Sequence, residues 1–212
     1  MGVAPVDRHP YQMTKAPVRW ALGAWLAVGL LIAACGDGAE APPAAETPAT
    51  GQTPTAEDGG DFRLSSDAFG PNEEIPAIHT CDGQNSSPPL TWPDPPSGTQ
   101  SFALIMDDPD APGAVFTHWV LFDLPPDTRA LGIGVETTER PSVGGAQGGN
   151  DAGGIGYTGP CPPPDGPHRY RFSLYALDAL LELGPGASKE DVLNAMQGHI
   201  LVEAQLMGSY GR

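Results

Sequence analysis

Cationic side chains are scarce in this chain: 10 Lys+Arg stand against 26 Asp+Glu in 212 residues, a formal net charge of −16. A body that acidic repels nucleic acid and anionic lipid surfaces, so neither is expected as a bulk partner. An anionic ligand has to be captured locally, by a site that overrides the field. Room for long helices is lacking as well, because 25 prolines and 28 glycines punctuate the sequence. Breaks that frequent favour short strands and turns. No internal repeat is present, and HxH, HExxH and CxxC spacings are all missing, which argues against a metal centre. The glycine-rich run 144–156 lacks the GK[ST] of a nucleotide P-loop and reads as a flexible lid or connector.

A hydrophobic run long enough to span a membrane is also lacking. The uncharged stretch Trp20 to Ala34 has 15 residues, short of the roughly 20 a spanning helix needs. It follows Lys15 and Arg19 and ends in small side chains, as the core of a secretory signal does. Met13 is an alternative start. Ile32-Ala33-Ala34-Cys35 resembles a bacterial lipobox, in which the cysteine is lipidated and becomes the new N-terminus. An ordinary signal peptide or an anchor helix is the alternative. The segment 36–60 is Ala, Pro, Thr, Glu and Gly almost throughout and has no large apolar residue to bury, which marks a disordered tether with a reach of roughly 25–30 Å. The expected organisation is therefore a signal peptide at 1–34, a lipidated cysteine and tether at 35–60, and a folded domain at 61–212. Residues 1–34 hold Arg8, Lys15, Arg19 and Asp7, so their removal leaves seven basic and 25 acidic side chains, a net −18. The expected location is the bacterial cell envelope, facing the periplasm or exterior, with membrane contact through the lipid alone.

Cysteine usage fits that compartment. With Cys35 lipidated, Cys81 and Cys161 remain as an even pair in an oxidising environment, and a disulfide between them is expected. Two free buried thiols are the alternative. The bridge would tie HTCDG, His79 to Gly83, to the loop GPCPPPDGPHRY, Gly159 to Tyr170.

Short apolar segments, several alternating with polar residues, read as strands: 62–64, 89–92, 101–106, 118–124, 170–177 and 199–206. One segment, SKEDVLNAMQG, reads as a helix. Ser188 and Asp191 match a capping box, Gly198 provides a stop, and Val192, Leu193 and Met196 form an apolar face. The pattern implies a mainly β, single-domain antiparallel sandwich with short peripheral helices.

The candidate chemistry sits at strand ends. DDPDAP follows a strand directly, which places Asp108 and Asp110 where proline forbids further pairing. Two carboxylates at that spacing suit a metal, acid and base roles, or a turn cap. His118 lies eight positions beyond Asp110, within reach of a hairpin return, and His168 ends the proline loop. Zinc would suit two imidazoles and a carboxylate, but the ligand spacings noted above are missing. No serine or cysteine nucleophile with an oxyanion loop is evident either, so neither a cofactor nor an enzyme is expected. Hydrolysis by Asp108 with His118 is the alternative from that class.

Taken in order, DDPDAP, THWVLFDLPPDTRAL, GYTGPCPPPDGPHRY and GHILVEAQLMGSYGR resemble the segments of phosphatidylethanolamine-binding proteins, also called Raf kinase inhibitor-like proteins. The resemblance covers about residues 61–212 and, as a combination of motifs, is specific. It implies a Greek-key β-sandwich with a small pocket for phosphate or a phospholipid head group. By motif, Asp108, Asp110, His118, Pro162, Pro163, His168 and Tyr170 would line that pocket, and Gly159 and Pro160 would shape its rim. Arg169 would point away, because neighbours alternate on a strand. Imidazoles, a phenol and backbone amides are the donors an anion needs, while aspartates either orient histidines or receive an ammonium. Phe116, where animal members tend to carry tryptophan, and Ala152, where bacterial relatives often carry an aromatic, alter the walls. The implied function is non-catalytic binding of such an anion, with inhibition of an envelope or surface protease by protein contact as the alternative.

Overall fold

The computed structural model describes residues 62–212. The expected signal peptide, the lipidation at Cys35 and the tether lie outside the described residues. The described residues form seven strands, β1 (Leu90–Thr91), β2 (Ser101–Asp108), β3 (Phe116–Leu124), β4 (Ala130–Leu131), β5 (Ala146–Gln147), β6 (His168–Leu177) and β7 (Ile200–Tyr210). One helix, α1 (Lys189–Ala195), and one 3-10 turn (Ala77–His79) accompany them. A two-stranded sheet pairs β1 with β4, and a five-stranded antiparallel sheet runs β5-β3-β2-β6-β7. The chain passes between the sheets from β1 to β2 and from β3 through β4 to β5, the crossovers of an antiparallel sandwich.

Strand β2 shows why the large sheet holds together. Both its neighbours are long strands, and all eight of its residues are buried. Phe102, Leu104 and Met106 face a core shared with Phe62, Leu90, Trp92 and Leu131. Ala103 and Ile105 face a second cluster, with Val120, Phe122, Val192 and Met196. A sheet covered on both faces requires a continuous apolar run rather than an alternating one. Each large side chain so buried contributes about 1.5–3 kcal/mol. Helix α1 covers the second face. Its capping box forms as the sequence predicts, with Ser188 Oγ accepting from Asp191 N–H at 3.1 Å and Asp191 Oδ2 accepting from Ser188 N–H at 3.1 Å. Val192 and Met196 are fully buried, but Leu193, expected on the same face, is 38 % exposed. At seven residues the helix covers the sheet with one narrow stripe, and Leu193 falls beside it.

Several expected boundaries move. Residues 62–64 form no strand, and Ser65 makes only a bridge to Thr91. Strands β2, β3 and β6 each extend two residues beyond the expected limits, β2 into Asp107 and Asp108, β3 back to Phe116 and β6 back to His168. The glycine-rich run corrects the reading as a flexible lid or connector, because it contributes β5 to the edge of the large sheet. Gln147 in that strand is fully buried. Its Oε1 accepts from Trp119 Nε1 at 2.7 Å, and its Nε2 donates to the carbonyls of Glu136 and Thr138 at 2.6 and 2.7 Å. The glycines permit the close approach: Gly145 has φ +75°, and a Cβ there would lie 2.4 Å from the Phe122 carbonyl.

Candidate functional site

The end of β2, the start of β3 and the start of β6 meet at one end of the large sheet. Asp108, His118, His168 and Tyr170 line a cavity of about 230 Å³ there, together with the proline loop after Gly159. On β6 the strand period of two sends His168 and Tyr170 inward and Arg169 outward. His118 arrives by a different route. Met106 pairs with Trp119 and Asp107 with Thr117, so the register slips by one residue at His118. This bulge lets His118 face the cavity on the same side of the sheet as its neighbour Trp119, which packs in the core. Re-aiming a side chain is a common use of a β-bulge.

Hydrogen bonds fix both rings. His118 Nδ1 donates to the Thr158 carbonyl at 2.7 Å, since a carbonyl can only accept. His168 Nδ1 donates to Asp108 Oδ2 at 2.7 Å, while Asp108 Oδ1 accepts the Asp110 amide at 2.8 Å. Neither histidine's Nε2 makes a hydrogen bond to the protein. Asp165 Oδ1 lies 3.9 Å from His168 Nε2. Burial holds the His118 pKa below the usual imidazole value, opposed by the Thr158 bond and by Asp108, Asp107 and Asp151. The His118 ring stands edge-to-face on Tyr170 at 5.2 Å and tilts against Phe116 at 4.8 Å. Tyr170 is fully buried and its hydroxyl has no partner. Burial, followed by Asp108, pushes its pKa up, so it stays a donor well into the alkaline range.

The loops that close the cavity are braced at several points. Cys81 and Cys161 form a disulfide across 80 residues of sequence, and the Cys81 amide donates to the Pro160 carbonyl at 3.0 Å. Gly159 admits no side chain, since a Cβ would lie 2.4 Å from the His79 carbonyl. Its amide donates to Asn85 Oδ1 at 2.6 Å. Arg212 Nε donates to the Pro162 carbonyl at 2.8 Å, and Tyr210 donates its hydroxyl to Asp82 at 2.7 Å. Tyr210, at the end of β7, and Arg212 thus tie both of the loops that the disulfide joins.

Asp108, His118, Gly159, Pro162, Pro163, His168 and Tyr170 therefore come together at the cavity wall. Two expected members do not. Asp110 turns to Arg169, accepting Nε at 2.9 Å and Nη2 at 2.7 Å, and that guanidinium lowers its pKa to about 2. An ion pair on the outer side of β6 outcompetes the cavity for that carboxylate. Pro160 lies behind the wall, where its carbonyl ties the two disulfide loops. Sequence reasoning left Thr158 out of the set; its carbonyl sets the His118 tautomer, and its place in GYTGP was the available signal. Ala111 and Pro112 also line the cavity, as the tail of DPDAP. Among the described residues no group of three or more His, Cys, Asp or Glu side chains is arranged to hold a metal ion.

The fold and cavity define a class: an antiparallel β-sandwich with a small cavity at one end of its larger sheet. The family model described as phosphatidylethanolamine-binding protein matches residues 65–211, and the chain belongs to that family. It is 56 % identical over 151 residues to the UPF0098 protein of Methanothermobacter thermautotrophicus, covering 71 % of this chain and 99 % of the relative. The UPF0098 protein of Aquifex aeolicus is 50 % identical over 155 residues, covering 71 % and 89 %. Among solved structures, a putative phosphatidylethanolamine-binding protein homologue of Chlamydia trachomatis superposes with a TM-score of 0.65 at 40 % identity, over 71 % of this chain and 97 % of that one. Escherichia coli YbcL, a member of the mammalian family, gives 0.67 at 32 % identity, over 72 % and 99 %.

Proposed function

We propose that this chain is an exported, lipid-anchored, non-catalytic binding protein whose pocket takes phosphate or a phospholipid head-group-like anion. The observation that carries the reading is the buried, unpartnered Tyr170 hydroxyl beside two oriented imidazoles in a cavity of about 230 Å³. A buried polar group without a partner costs about 1–3 kcal/mol, a cost that a bound acceptor would remove. The rigid, disulfide-tied loop lowers the ordering cost of binding. Cys161, which lines the cavity, is tied in a disulfide and offers no free thiol there. Export and anchoring rest on the hydrophobic run ending at Cys35 and on the disulfide, which suits an oxidising compartment.

The test is an NMR titration of the purified protein with inorganic phosphate and with glycerophosphoethanolamine, following the imidazole signals of His118 and His168. Saturable shifts that disappear in His118→Ala and His168→Ala, without consumption of either compound, are expected. Silence at millimolar ligand would overturn the pocket reading and redirect the search to an envelope protease as partner. Anchoring is tested separately by Cys35→Ser, which should move the protein from the membrane to the soluble fraction.

A further inference from the structure

We propose that anion binding in this pocket, on the reading above, is coupled to the uptake of one proton by Nε2 of His118. A neutral imidazole carries a single N–H. In His118 that proton sits on Nδ1, engaged by the Thr158 carbonyl at 2.7 Å, so Nε2 presents a lone pair. A lone pair repels an anionic oxygen. An anionic oxygen that carries no proton, such as a phosphodiester's, can use this ring only once Nε2 is protonated, and the imidazolium then donates at both ends.

His168 differs. Carboxylates flank both sides of its ring, with Asp108 Oδ2 at 2.7 Å from Nδ1 and Asp165 Oδ1 at 3.9 Å from Nε2. His118 has a carbonyl on one side and the cavity on the other. On the cavity side the charged and titratable groups facing it are Asp108 on β2 and Tyr170 and His168 on β6, with Arg212 beyond Tyr170. Asp107 and Asp151 also act on it through their charge but are engaged elsewhere, Asp107 by Lys189 of α1 at 2.8 Å and Arg171 of β6 at 3.4 Å, Asp151 by the Thr117 amide at 2.6 Å. These carboxylates, Asp108 foremost, stabilise an imidazolium once a ligand offsets its desolvation. Burial keeps the ring neutral while the pocket is empty. The ligand's negative charge supplies the remaining driving force, so proton and anion enter together.

The probe has to hold its own charge constant. Phosphate monoesters titrate at about pH 6, whereas glycerophosphoethanolamine, a diester, keeps one charge state between about pH 6 and 8. Isothermal calorimetry with this probe, in two buffers of different ionisation enthalpy, reads both affinity and protons taken up. Affinity should fall about tenfold per pH unit above the titration of free His118, with uptake approaching one proton. His118→Gln, whose amide donates without titrating, should flatten that slope, and His168→Gln should retain it. If His118→Gln does not fold, the wild-type imidazole signal serves instead, and its pKa should rise on saturation. Binding that is independent of pH, that strengthens as pH rises, or that keeps its slope in His118→Gln overturns the coupling and leaves the anion reading intact. No binding at any pH overturns both.

Discussion

At the scale of single residues, the site is defined by what each polar atom still lacks. Tyr170 has a fully buried hydroxyl without a partner. Tyr170→Phe should therefore stabilise the empty protein by about 1 kcal/mol, or about 3 °C in Tm, while weakening anion binding roughly tenfold or more. Thermal melts beside a ligand titration separate the two effects, and a destabilised variant would contradict the assignment. Asp110 makes the opposite case, being satisfied outside the pocket. Its pKa falls from 3.8 to about 2 through Arg169, so its stabilising contribution is complete above about pH 4 and is lost as pH drops toward about 2. The pair is partly exposed, so the contribution is modest. Asp110→Asn should remove that component from an acid unfolding curve and leave anion affinity unchanged.

At the scale of elements, a bulge and a glycine loop place the chemistry. Without the one-residue slip at His118, strand alternation would send the ring to the α1 side of the sheet. Gly159 permits the proline loop to lie against the His79 carbonyl at a distance no Cβ tolerates. Gly159→Ala should cost about 1–3 kcal/mol by overpacking and displace the loop, lowering affinity as well. Denaturant melts and the titration above check both, and an unperturbed variant would show that the loop is not held there. Ser188→Ala, at the start of α1 and away from the pocket, should cost about 1 kcal/mol with binding intact.

At the scale of the whole molecule, the disulfide joins loops 80 residues apart in sequence. In the chain-entropy model a closure of that length restricts the unfolded chain by about 4–5 kcal/mol, and removing a native bridge typically costs about 2–5 kcal/mol. Cys81→Ser with Cys161→Ser should lower stability by that amount. It should also weaken ligand binding, because Cys161 lines the cavity and Pro160 loses its brace. Equal affinity in the oxidised and doubly substituted proteins would contradict a role for the bridge in holding the pocket. The net charge of −16 acts over the same scale, disfavouring anions everywhere that local donors do not counter it.

The sequence by itself determined the class of fold, because Pro and Gly break the chain into short apolar segments that read as strands. It determined the capping of α1, a local exchange between Ser188 and Asp191. It also carried, through short specific motifs, most of the cavity wall. Tertiary structure decided what depends on competition between distant partners. Leu193 or Val192 as the buried position, Arg169 or the cavity as the partner of Asp110, and β5 in place of a loose glycine lid were each settled by contacts more than a helical turn or a hairpin away. The tautomer of His118 belongs with them: it is set by a carbonyl 40 residues downstream, and residue types alone hold no record of which nitrogen that carbonyl meets.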